Sequence, residues 1–144
     1  MGVFDPGINA LSIATAILPP FHLVDGTTDV PSNCQSPIAA SLRFAAVTGA
    51  EVRAELDFLQ TGPQTWDIAI ETDNGRLVLS KGGSALAVDG VVQTCPPEGE
   101  YRGLYDRFVA LVRARQSDVD LTPLRHVADA FLRAERRTVA PFED

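Results

Sequence analysis

At 144 residues the chain has the length of one domain, enough to bury about two thirds of its unfolded surface without a disulfide or metal staple. Its net charge of −7 supplies no basic face, which argues against nucleic acid and anionic lipid as partners. Cys34 and Cys95 lack C-x-x-C spacing, His22 and His126 lie far apart, and no apolar run is long enough for a membrane span. The expectations are therefore no metal site, two reduced thiols with one disulfide as the alternative, and a cytoplasmic location, since no signal peptide pattern opens the chain.

Asp5-Pro6 opens the first predicted helix: a carboxylate can cap the free N–H groups, and proline at the first helical position gives up a donor that would be unpaired anyway. Ile8, Leu11, Ala14, Thr15 and Leu18 follow at steps of three and four, a buried stripe that Pro19-Pro20 ends. Asp5 and Asn9 are four apart, with Ser12 three further on, so they line one edge of the stripe near the positive end of the helix dipole. A ligand hydroxyl can be gripped there. The commonplace alternative is that Asp5 is an N-cap and Asn9 an exposed amide. Asn9 is the harder to dismiss, because asparagine is a mediocre helix former that usually has a local hydrogen-bonding reason.

Residues 21–25 read as a strand and 26–37 as an irregular connection rich in Thr, Ser, Asn and Pro. The period then becomes two. Ile38, Ala40, Leu42, Phe44 and Ala46 share one face; after the turn Thr48-Gly49-Ala50, Val52, Ala54, Leu56 and Phe58 alternate with charged residues, which predicts an antiparallel hairpin. Trp66, Ile68 and Ile70 alternate with Asp67 and Glu71, Asp73-Asn74-Gly75 turns the chain, and Leu77 and Leu79 return. Gly82-Gly83 turns again into residues 85–88. The expected architecture is α+β: a mainly antiparallel, open-faced sheet of about five or six strands with helices on one face.

Two helices are expected near the end. Tyr101, Leu104, Tyr105, Phe108, Leu111 and Val112 form one stripe, and Leu124, Val127, Ala128 and Phe131 another after Thr122-Pro123; both read as core. His126 reads as a helix surface residue, His22 as a strand or loop side chain. Thr65 and Trp66 are a second chemical candidate, because sugars present C–H faces that stack on aromatic rings. The commonplace reading of Trp66 is core.

The strings GVFDPGINALSIATAIL (2–18), QTGPQTWDIAIET (60–72), LSKGGSALAVDG (79–90) and SDVDLTPLRHVADAFL (117–132) resemble the C-terminal domain of the glucose-fructose oxidoreductase (Gfo/Idh/MocA) family, within it the D-galactose or L-arabinose 1-dehydrogenase branch. The resemblance covers nearly the whole chain. It implies an enzyme that oxidises the anomeric carbon of an aldose to a lactone, hydride passing to NAD or NADP on an N-terminal Rossmann domain. Neither that domain, the family's Glu-Lys-Pro lysine nor a G-x-G-x-x-G occurs in these residues, and Lys81, the only lysine, sits in a Ser-Lys-Gly-Gly turn. The expected organisation is residues 1–144 as a single substrate-binding and oligomerisation domain, without the Rossmann domain and its own first strand, binding no cofactor alone.

The family pattern Asp-x-Gly-x-His-x-x-Asp matches at Asp5 and Gly7, while Asn9 replaces the His and Ser12 the second Asp. A neutral amide cannot accept a proton, so the resemblance casts Asn9 as a hydrogen-bonding clamp and Asp5 as the catalytic carboxylate, with Thr65 and Trp66 bordering the sugar. It also implies a homodimer through the open sheet face, through residues including Ser41, Arg43, Ala45, Arg53, Glu55, Asp67, Ala69 and Val78. A non-catalytic sugar-binding module and a bare dimerisation domain are the alternative functions.

Overall fold

The computed structural model describes residues 2–59, 61, 62, 65–94 and 99–143. In chain order the elements are α1 (Phe4–Ile17), β1 (Phe21–Pro31), β2 (Ala39–Ala46), β3 (Glu51–Asp57), β4 (Ile68–Thr72), β5 (Gly75–Ser80), a 3-10 turn (Lys81–Gly83), β6 (Ala85–Val88), β7 (Val91–Val92), α2 (Glu100–Ala114), α3 (Thr122–Arg133) and β8 (Glu135–Val139). They fall into two compact units, one formed by residues 1–62 and 121–144, the other by 63–120. The α+β, mainly antiparallel class expected from the sequence is observed, with its strands divided between two four-stranded sheets.

In the first unit the sheet order is β3-β2-β1-β8, antiparallel except for the parallel β1–β8 pair. Alternation places Ala40, Leu42, Phe44 and Ala46 of β2 on the buried face, where they meet Phe4, Leu11 and Ala14 of α1 and Val127 and Ala130 of α3. Leu18 adopts an extended conformation (φ −101°, ψ 156°), as a residue before proline must, and this ends α1. Phe58 lies past the end of β3 and is exposed, not on the apolar face that the alternation predicted.

Three further expectations for this unit are corrected. Residues 26–31 are not a connection but the second half of β1, because pairing to β2 on one side and β8 on the other outweighs their loop-like composition. A register shift between Leu23 and Asp25 lets both Leu23 and Gly26 lie opposite helix-covered residues of β2, while Asp25 comes opposite Arg43 on the open face. The stripe of α3 is Pro123, His126, Val127 and Ala130, one position earlier than predicted; Leu124, Ala128 and Phe131 are exposed. His126 is therefore no surface residue. It is 4% exposed and stacks on Phe21 with ring centroids 4.4 Å apart.

The second unit is an antiparallel meander, β4-β5-β6-β7, with α2 following it. Asp89 closes its far end, accepting the Arg76 N–H on Oδ1 at 2.7 Å. Ile68, Ile70, Leu77, Leu79, Leu86 and Val88 share one face at half-buried positions. None of the described residues of this unit is buried, including the aromatic stripe of α2, where Tyr101 and Phe108 are exposed rather than core as expected. Periodicity locates an apolar face; it does not supply the surface that covers it.

Candidate functional site

The head of α1 is held from below by four adjoining contacts. Gly2 turns the chain at φ 59°, so close to the loop before β2 that a Cβ there would lie 2.2 Å from the Pro37 carbonyl oxygen. Val3 then donates its N–H to that oxygen at 2.8 Å. Phe4 is fully buried with its ring centroid 5.1 Å from that of Phe131. Gly7 lets the helix settle on β3, since a Cβ there would stand 2.8 Å from Leu56 Cδ1. Buried residues at 3, 4, 7 and 11 leave 5 and 9 on the outer side.

Asp5 and Asn9 are accordingly exposed, one helical turn apart, on an anchored helix. The helix begins two residues earlier than the Asp-Pro signal predicted: Val3, not Asp5, occupies the N-cap, without a side-chain bond, and Asp5 lies inside the first turn. Among the described residues neither the Asp5 carboxylate nor the Asn9 amide makes a hydrogen bond, so both remain available to a ligand. Ser12 does not join them, because its hydroxyl donates to the Ile8 carbonyl at 2.8 Å. A carboxylate accepts from a hydroxyl, and an amide both donates and accepts; the pair can hold one polyol edge from two directions beside the N–H end of a helix.

Thr65 and Trp66 belong to the second unit, just before β4. Thr65 is exposed and Trp66 half-buried, with the Trp66 carbonyl accepting the Gly82 N–H at 3.2 Å. Gln60, Pro63, Gln64 and Cys95 lie outside the described residues. Cys34 carries a free thiol, and no group of three or more potential metal ligands occurs among the described residues.

A hollow on the open face of the first unit's sheet, lined by Asp25, Thr27, Ser41, Arg43, Arg53 and Glu55 among others, was only partly visible in the sequence. Ser41, Arg43, Arg53 and Glu55 followed from alternation. Asp25 did not, because the bulge that brings it to that face leaves no signature in composition. Its hydrogen bond and charge raise the pKa of the Arg43 guanidinium above its ordinary value, with a smaller contribution from Glu51. Arg53 pairs with Glu51 at 2.6 Å and Ser41 donates to Glu55 at 2.8 Å, so this face carries a network of ion pairs and hydrogen bonds.

No family model matches the chain. Along its full length it is 48% identical over 145 residues to a galactose 1-dehydrogenase of Pseudomonas fluorescens, of which it covers 48%. The crystal structure of a D-galactose-1-dehydrogenase from Rhizobium etli superposes with a TM-score of 0.94 at 50% identity, over 99% of this chain and 46% of that one. A 3-ketoreductase from Actinomadura kijaniata, solved with TDP-benzene and NADP, reaches a TM-score of 0.67 at 13% identity and shows the fold alone. The chain thus spans about half the length of the relatives it matches.

Proposed function

Because this chain is a C-terminal domain of the glucose-fructose oxidoreductase type, related throughout to galactose 1-dehydrogenase, we propose that it is the sugar-binding half of an NAD(P)-dependent aldose 1-dehydrogenase. In this reading the substrate is D-galactose or L-arabinose and the product an aldonolactone. The nicotinamide, the hydride acceptor, belongs to a Rossmann domain outside these residues. The 144 residues contain no G-x-G-x-x-G with which to seat a dinucleotide, so the chain alone is inactive and its own side chains bind and orient the sugar.

Asp5 accepts the hydrogen bond of the anomeric hydroxyl and biases it toward losing its proton, while Asn9 clamps a neighbouring hydroxyl without taking part in proton transfer. For the second unit, taken by itself, the proposed sugar contacts are the Thr65 hydroxyl and the Trp66 ring face. The open face of the β3-β2-β1-β8 sheet serves as a homodimer interface, its ion pairs and hydrogen bonds resembling the polar rim of such contacts. A cytoplasmic location completes the reading. What carries it is a carboxylate and an amide left without internal partners among the described residues, on a helix whose head is fixed from below.

Calorimetric titration of the chain with galactose, arabinose and an unrelated small acid tests the proposal. Selective sugar binding that is lost in Asp5→Ala and Asn9→Ala supports it; absence of sugar binding leaves a dimerisation module. Tight binding of NAD to the chain alone overturns the division of labour.

A further inference from the structure

The turn between β5 and β6 places Lys81, Gly82 and Gly83 in succession in left-handed backbone, at φ 53°, 65° and 92°. Two hydrogen bonds fasten it to the start of the meander: Gly82 N–H donates to the Trp66 carbonyl at 3.2 Å, and Lys81 N–H donates to Asp67 Oδ1 at 3.3 Å. The indole lies against this turn. A Cβ at Gly83 would stand 3.2 Å from Trp66 Cη2 and 3.8 Å from Cζ2, whereas one at Gly82 would meet Nε1 at an ordinary 3.9 Å. At position 83, then, the benzo edge of the ring meets bare backbone, and a methyl group fits only if the ring gives way.

Backbone conformation alone also favours glycine at φ 92°. Gly90 separates the two causes: it sits in the same unit at φ 80°, and a Cβ there would meet nothing within 4 Å. Any cost of a side chain at 83 beyond the cost at 90 falls chiefly on the indole, since the next neighbour, Leu79 Cδ2, stands at an ordinary 4.0 Å.

We propose that Gly83 is a positioning residue for Trp66: the missing side chain makes a seat that fixes the orientation in which the half-buried indole presents its free surface to the C–H face of a sugar. The identity of the ligand rests on the function proposed above; the seat does not. A ring held in one orientation before binding loses less freedom on meeting its ligand, so displacing it weakens binding without removing a contact atom.

Trp66 is the only tryptophan, so the emission of the whole chain reports on this ring. Gly83→Ala is expected to shift the emission maximum and increase quenching by acrylamide, while Gly90→Ala leaves both as in the unmutated chain. In thermal melting, the excess loss in Gly83→Ala over Gly90→Ala is expected to vanish in a Trp66→Phe background, which lacks Cη2 and Cζ2. If Gly83→Ala fails to fold, recovery in the double variant supports the seat and failure of both overturns it. An excess that persists with phenylalanine, or an emission spectrum indifferent to Gly83→Ala, also overturns it. With galactose as the probe, Gly83→Ala is expected to weaken binding about threefold to tenfold, the range of an aromatic contact. An unmutated chain whose emission and heat ignore galactose overturns the sugar reading and, with the melting cycle intact, upholds the seat.

Discussion

Asp5 and Asn9 point away from the core because the residues that interleave with them, Phe4, Gly7 and Leu11, are buried. Neither side chain holds another part of the described structure, so Asp5→Ala and Asn9→Ala should leave the melting midpoint within about 2 °C while abolishing sugar binding. A variant that melts early and binds normally would reverse their roles from ligand to scaffold. The spacing of these two residues was legible in the sequence. The N-cap reading of Asp5 was not correct, because Gly2 and the Pro37 carbonyl start the helix two residues earlier, and a contact to a loop 35 residues away leaves no local mark. His126 shows the same limit: a polar residue one position from the expected stripe of α3 packs against both Phe21 and Phe44.

At the scale of elements, α1 is useful only while its head stays in place. Phe4→Ala removes a fully buried ring and should cost about 3–5 kcal/mol in denaturant unfolding. Gly2→Ala is the more informative change: it adds a methyl group where the Pro37 carbonyl already stands and where φ is 59°. It touches no ligand in the proposed account, yet it should weaken galactose binding several-fold by shifting the first turn. Unchanged affinity in a Gly2→Ala protein that remains folded would show that the head of α1 is not the site. The hairpin of β2 and β3 was readable from alternation and a glycine turn, since both strands bury one face against helices. The full length of β1 and the presence of β8 were not, because a bulge reverses the alternation midway and β8 is paired across more than a hundred residues of sequence.

For the molecule as a whole, the mixed charges of the open face in the first unit and the half-buried leucines of the second are two surfaces a sequence shows as patterns without showing their partners. Association through the open face should appear as a dimer mass by sedimentation at micromolar concentration, and should weaken with rising salt and in Arg43→Glu, which sets a third acid beside Asp25 and Glu51. A monomer at every salt concentration counts against that interface. The α+β class was legible because strand and helix periods differ. The division into two units was not, because a loop and a unit boundary have the same composition.

Asp5 and Asn9, one turn apart at the head of α1, are proposed to hold an aldose. Backbone and indole chemical shifts of the isotope-labelled chain, followed as galactose is added, test this most directly. Saturable shifts at residues 4–9 that vanish in the Asp5→Ala, Asn9→Ala double variant are expected; the indole signal reports separately on Trp66. Saturable shifts confined to other residues, or identical shifts in the double variant, would contradict the proposal.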